Sequence, residues 1–271
     1  MSATIALALG LPLGVVATPQ EDLDSFRAYF EQRFPNTTME DYVNGIYSID
    51  PPSREQWEAI EEFAPYELSV DNGKALFETP FANGKSLADC FPNEGIGVRQ
   101  NYPYYDVERK EVVTLELAIN ECREANGEEP YKYSKGPIAD VSAYMAYTSR
   151  GQKIEVEIPN DDALAWYERG RRHFYAKRGQ LNLSCADCHV YSAGMYVRAD
   201  KLSPALGHPS HFPVFRSKWG ELGTLHRRYK GCNEQVRAKP FKPQGEEYRA
   251  LEYFHTYMSN GLEINGPGAR K

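Results

Sequence analysis

The five residues Cys185-Ala-Asp-Cys-His189 carry the most specific chemistry in this chain. Two thiols at this spacing can form thioethers to the vinyl groups of haem. The adjacent imidazole then lies under the ring as an axial iron ligand, which makes Cys-x-x-Cys-His the attachment signature of c-type haem. Two other chemistries share part of the pattern. A zinc site needs two further Cys or His at suitable spacing, and none of the six histidines pairs with another thiol that way. A redox Cys-x-x-Cys wants a strand before it and a helix start at the motif, whereas the stretch from Trp166 to Gly179 reads as a helix feeding a loop with Gly and Asn. Covalent haem is therefore the expectation.

A second candidate follows in Gly220 to Cys232, which reads as a short helix with Leu225, Arg228 and Cys232 three and four residues apart, hence on one face. A thiolate at Cys232 would be stabilised by the Arg228 guanidinium and by ferric iron, both of which lower its pKa. The plainer alternative is a buried structural Cys with a solvated Arg. Spacing leaves other sixth ligands open: Met258, His208, His211, His226 and His255, with Met195 too near His189 to reach the opposite face easily. Most electron-transfer cytochromes use Met or His there, and a thiolate would lower the potential.

The elements around these residues occur twice. Residues 72–90 share with 169–188 a Gly, a Phe shortly after it and the ending Ala-Asp-Cys. In that register Cys90 falls on Cys188, Leu87 on Cys185 and Phe91 on His189, so the first copy cannot hold c-type haem. Residues 102–132 then lie on 212–242 without a gap, matching Pro103 to Pro213, Thr114 to Thr224, Cys122 to Cys232 and Pro130 to Pro240. The expected fold is mostly α, with two tandem cytochrome c-like domains of which the first lacks haem. In the second copy the Cys232 thiol would lie across the haem from His189. With no haem between them, Cys90 and Cys122 could close as a disulfide, a staple replacing the cofactor in a small domain.

Charge separates the copies further. Residues 216–242 hold Arg216, Lys218, Arg227, Arg228, Lys230, Arg237, Lys239 and Lys242 against Glu221 and Glu234, a local balance of +6. The matching residues 106–132 balance to −4, and Ala118 stands where Arg228 does. In a chain of net charge −7, a basic patch beside the haem points to an anionic substrate or an acidic partner.

The 271 residues are enough for two small domains. The start, Ser2 to Ala17, is a short apolar run ending in small residues and followed by polar Pro19 onward. It is too short to span a bilayer and reads as a secretory signal peptide over 1–17, although its leading residues lack Lys or Arg. Export to the periplasm suits covalent haem and a disulfide. The expected domains are 18–150, with an N-terminal helical extension over Asp22 to Phe34 and a capping box formed by Ser53 and Gln56, and 151–271.

The haem motif, the helix from His226 to Phe241 with Arg228 one turn before Cys232, and a first copy with Cys90 and Cys122 but no haem motif resemble the SoxA family, the catalytic subunits of the SoxAX cytochromes of bacterial thiosulfate oxidation. The similarity runs through both copies. Leu87 and Phe91 place the chain with members carrying one haem in this subunit. The resemblance implies that His189 and Cys232 ligate the iron, that Cys232 is the active-site sulfur, often a persulfide, and that Arg228 binds substrate. It also implies a small SoxX haem subunit as partner and a SoxYZ carrier whose cysteine receives thiosulfate. The competing function is a periplasmic electron carrier with a decayed second haem domain, in which Cys232 is structural; a haem sensor that exchanges ligands at iron is a third.

Overall fold

The computed structural model describes residues 17–270. The expected signal peptide lies almost wholly outside the described residues. The chain is mostly helical and opens with helix α1 (Pro19–Arg33), whose start is fixed by Thr18 and Glu21 capping each other's backbone. Helix α2 (Pro51–Glu61) follows. Its cap differs from the expected one: Asp50 accepts from the Ser53 amide, and Pro51 opens the helix, where a missing N–H costs nothing.

Two units of the same plan come next. The first comprises α3 (Glu67–Glu78), the hairpin β1 (Tyr104–Asp106) and β2 (Glu111–Val113), α4 (Leu115–Ala125) and α5 (Pro137–Tyr147). The second comprises α6 (Asp161–Tyr175), a small hairpin β3 (Tyr196–Val197) and β4 (Asp200–Lys201), the hairpin β5 (Val214–Arg216) and β6 (Glu221–Gly223), α7 (Leu225–Gln235) and α8 (Glu246–Tyr257). A last strand, β7 (Gly268–Arg270), lies parallel to β5.

In each unit the first and last helices cross at a glycine. A Cβ on Gly73 would sit 1.9 Å from the Asp140 carbonyl oxygen, and one on Gly170 would sit 2.0 Å from that of Ala250. Only a residue without a side chain lets the backbones approach this closely. These four residues correspond across the repeat, so the duplication legible in the sequence is also a duplication of the packing contact. The units differ where Cys188 and Pro213 are separated by twelve more residues than Cys90 and Pro103. The β3–β4 hairpin occupies this insertion.

The units pack on each other reciprocally. Arg249 of α8 reaches across to Glu111 of β2 at 2.7 Å, and Lys135, just before α5, reaches Glu221 of β6 at 2.8 Å. The threonines that open α4 and α7 also bond to the opposite unit: Thr224 Oγ1 donates to the Tyr133 carbonyl at 2.8 Å, and Thr114 Oγ1 donates to Gln244 Oε1 at 2.7 Å. Helix α1 packs on the second unit, its Phe26 against Phe174 and its Tyr29 hydroxyl donating to the Val190 carbonyl.

Candidate haem and thiol site

Leu87 and Phe91 are buried in an apolar cluster with Phe77, Val98, Ile119 and Met145, and Cys90 and Cys122 are joined by a disulfide in the same region. Apolar side chains thus occupy the positions that match Cys185 and His189 of the second unit.

In the second unit Cys185 leads directly into the tight turn Asp187–Tyr191 that carries Cys188 and His189, and the start is shaped by Ser184 and Asp187 bonding to each other's backbone N–H. The His189 Nδ1 faces the Ser203 carbonyl at 2.9 Å. A carbonyl only accepts, so Nδ1 carries the proton and Nε2 keeps its lone pair for a metal. The His189 ring is close enough to influence the Cys232 sulfur, so the turn and α7 lie near one another.

Cys185 and Cys232 are deep enough that burial opposes their ionisation, yet both keep part of their surface accessible. Two thiols and an imidazole in five consecutive residues, with a further sulfur nearby on α7, form a donor set that fits covalent haem, which Cys185, Cys188, His189 and Cys232 would hold. No three or more Cys, His, Asp and Glu among the described residues are placed to hold a bare metal ion.

The three thiols have different chemistry. Burial pushes the Cys185 thiol up to about 12, aided by the neighbouring Cys232 and Cys188. Burial also raises Cys188. At Cys232 burial is the largest influence and acts upward, but Arg228, the His189 contact and Arg216 together outweigh it and bring the thiol down to about 7. A thiolate is thus available near neutrality only on α7.

The basic patch divides once it is folded. Arg227 is held by Glu221 at 3.1 Å and stacks on Trp219, and Lys230 faces solvent beside Glu234. Arg228 makes no salt bridge and no side-chain hydrogen bond among the described residues, so its charge acts on the Cys232 sulfur. Arg216 on β5 is the second such cation. Its Nε is buried without a hydrogen-bond partner, and burial with the nearby Arg228 lowers it to about 10. Its cross-strand acid, Glu221, is already taken by Lys135 and Arg227. Sequence reading counted Arg216 only within the patch; a signal was present, since Asp106 stands at that position in the first copy.

The other candidate iron ligands have different places. Met195 is exposed. Met258 is buried with its sulfur accepting from the Tyr167 hydroxyl at 3.7 Å. His226 faces Glu252 at 3.0 Å, His208 bonds to Ser203 Oγ at 2.6 Å, His211 bonds to the Val43 carbonyl at 3.2 Å, and both ring nitrogens of His255 are engaged.

Tandem helical units, one bearing a Cys-x-x-Cys-His turn with a further cysteine on the helix packed near it, define a c-type cytochrome. Residues 72–154 match the family described as SoxA/TsdA, cytochrome c domain. The chain is 60% identical over 99% of its length, and 97% of the relative's, to the L-cysteine S-thiosulfotransferase subunit SoxA of Allochromatium vinosum. It is 58% identical over its whole length, and 94% of the relative's, to the protein of the same name from Chlorobaculum tepidum. A chain in the crystal structure of SoxXA from P. pantotrophus superposes with a TM-score of 0.73 at 29% identity, covering 80% of this chain and 84% of that one. The chain belongs to the SoxA family.

Proposed function

We propose that this chain is the catalytic subunit of a thiosulfate-oxidising cytochrome, an L-cysteine S-thiosulfotransferase that joins thiosulfate to a cysteine of a SoxYZ-type carrier. In that reaction a carrier thiolate and the thiosulfate dianion form one S–S bond and release two electrons. The observation that carries the reading is Cys232, a sulfur ionising near neutrality, with the unpaired Arg228 one helical turn before it and the haem-attachment turn facing it.

Each group has a task that follows from its surroundings. Arg228 and Arg216 hold the sulfonate end of thiosulfate by charge and by N–H donors set in a fork. Cys232 meets the sulfane sulfur, and exchange with the carrier cysteine completes the transfer. One haem c, which Cys185, Cys188, His189 and Cys232 would hold, would take the two electrons one at a time and pass each on to the SoxX-type cytochrome subunit.

The partner is a SoxX-type cytochrome subunit, a reading supported by the similarity to the P. pantotrophus SoxXA chain. Tyr191, Met195, Tyr196 and Val197, all exposed and all in or beside the insertion after His189, offer apolar surface for it. The domains are 18–150 and 151–271, and the compartment is the periplasm after removal of residues 1–17. No helix among the described residues is long and apolar enough to cross a membrane.

The test is Cys232→Ser. The unsubstituted protein is expected to show a long-wavelength sulfur-to-iron charge-transfer band and thiosulfate turnover, both lost in the variant. A methionine-type band in both proteins would return the chain to simple electron carriage.

A further inference from the structure

Between α7 and the loop that holds His189 runs a buried line of hydrogen bonds through His255 of α8. The Tyr229 hydroxyl, three residues before Cys232, lies 3.0 Å from His255 Nδ1, and His255 Nε2 lies 3.2 Å from the Ala205 carbonyl. The carbonyl can only accept, so Nε2 carries the proton and Nδ1 receives the tyrosine's. The Ala205 amide in turn donates to the His189 carbonyl at 2.9 Å, two residues from Ser203, whose own carbonyl fixes the His189 ring.

Tyr229 and His255 are buried at 7% and 5% exposure, so water cannot replace either bond readily. Burial, with the nearby His189, lowers His255 to about 3. It therefore stays neutral in any working range and acts as a fixed donor and acceptor.

The repeat gives this line its meaning. In the first unit the corresponding residues are Ile119 and Met145, both fully buried in its apolar core. An apolar pair without hydrogen bonds therefore satisfies the corresponding helix contact in the first unit. The polar pair costs desolvation and conformational order that the fold alone does not require.

We infer that His255 is a positioning residue: with Tyr229 it forms a strut that sets the distance between Cys232 and His189, so that the Cys232 sulfur stays on the iron side of its helix. This rests on the proposed ligation of iron by His189 and Cys232. The strut touches neither substrate nor iron; it acts through the two elements that carry the ligands.

The experiment compares the haem-loaded chain with Tyr229→Phe, with His255→Gln, and with the double variant Tyr229→Ile/His255→Met, which installs the pair that already packs in the first unit. Haem per chain, thermal unfolding and the sulfur-to-iron band are measured on each. Loss of one buried hydrogen bond changes an equilibrium about tenfold. Tyr229→Phe and the double variant are therefore expected to keep their haem and fold but to show about a tenfold larger fraction of haem lacking the band, with His255→Gln restoring part of it. Full band intensity in both Tyr229→Phe and the double variant would overturn the strut. A band missing from the unsubstituted protein would instead overturn the ligation on which it rests. Tyr229→Phe removes a single oxygen and keeps the measurement available if the double variant does not fold.

Discussion

Replacing Arg228 by alanine removes a guanidinium that makes no salt bridge and no side-chain hydrogen bond among the described residues. The substitution therefore breaks no pairing in the resting protein, and alanine suits the middle of α7 better than most residues. It also removes the charge that does most to hold the Cys232 thiol down, and with it a charged donor to a dianion, about 1.5–3 kcal/mol for a hydrogen bond to a charged group. Between about 10-fold and about 150-fold of kcat/KM for thiosulfate is expected to go with it. Arg216 remains, so the loss stays short of complete, and Arg228→Lys should fall between because it keeps charge without the planar fork. The assay is steady-state, thiosulfate-dependent electron release in the presence of a carrier cysteine, with the absorption spectrum recorded on the same samples. A kcat/KM within twofold of the parent, with the haem spectrum unchanged, would refute Arg228 as a substrate contact. A fall in kcat/KM accompanied by loss of the sulfur-to-iron band would show that Arg228 serves the ligand instead.

Arg216→Met should weaken thiosulfate more than it weakens the fold, because the buried Nε has no protein partner to lose; equal loss for a neutral sulfur donor would remove it from anion binding. Opening the disulfide with Cys90→Ser/Cys122→Ser frees a loop spanning a separation of 32 residues, and on chain entropy the first unit should lose on the order of 3–4 kcal/mol. Denaturant unfolding measures that loss, and the haem spectrum should not change. Glu116 is raised by burial first and then by Glu252, so the native state holds its proton at pH values where the unfolded chain has released it. Its contribution is complete below the unfolded value near 4.5 and is lost as pH rises toward the folded value. Glu116→Gln should accordingly stabilise the protein at pH 7 and leave it unchanged at pH 4, and equal stability at pH 7 would count against a raised Glu116.

The folded chain also explains why some residues were legible in advance and others were not. Cys185, Cys188 and His189 could be read because the chemistry requires them within one turn. Arg228 and Cys232 could be read because helical periodicity alone puts them on one face. The repeat made Cys90 and Cys122 readable as a pair, since each aligned with a residue beside the haem. Arg216 lies on a strand, twelve residues before Arg228, and its role depends on Glu221 being occupied by Lys135 and Arg227. No local pattern reports such a competition. The same limit hid Tyr229 and His255, which sit on two helices that meet only in the folded unit.

The sequence by itself determined the cofactor class, the duplication and the identity of the odd thiol, because covalent attachment and helical spacing are short-range constraints written in consecutive residues. Tertiary structure alone decided that Met258 and His255 are bonded to other side chains or carbonyls, that two of eight basic residues act on the Cys232 sulfur, and that α1 packs on the second unit. Those outcomes depend on which groups reach each other first across the fold, and on the cost of burying a charge or a donor that finds no partner.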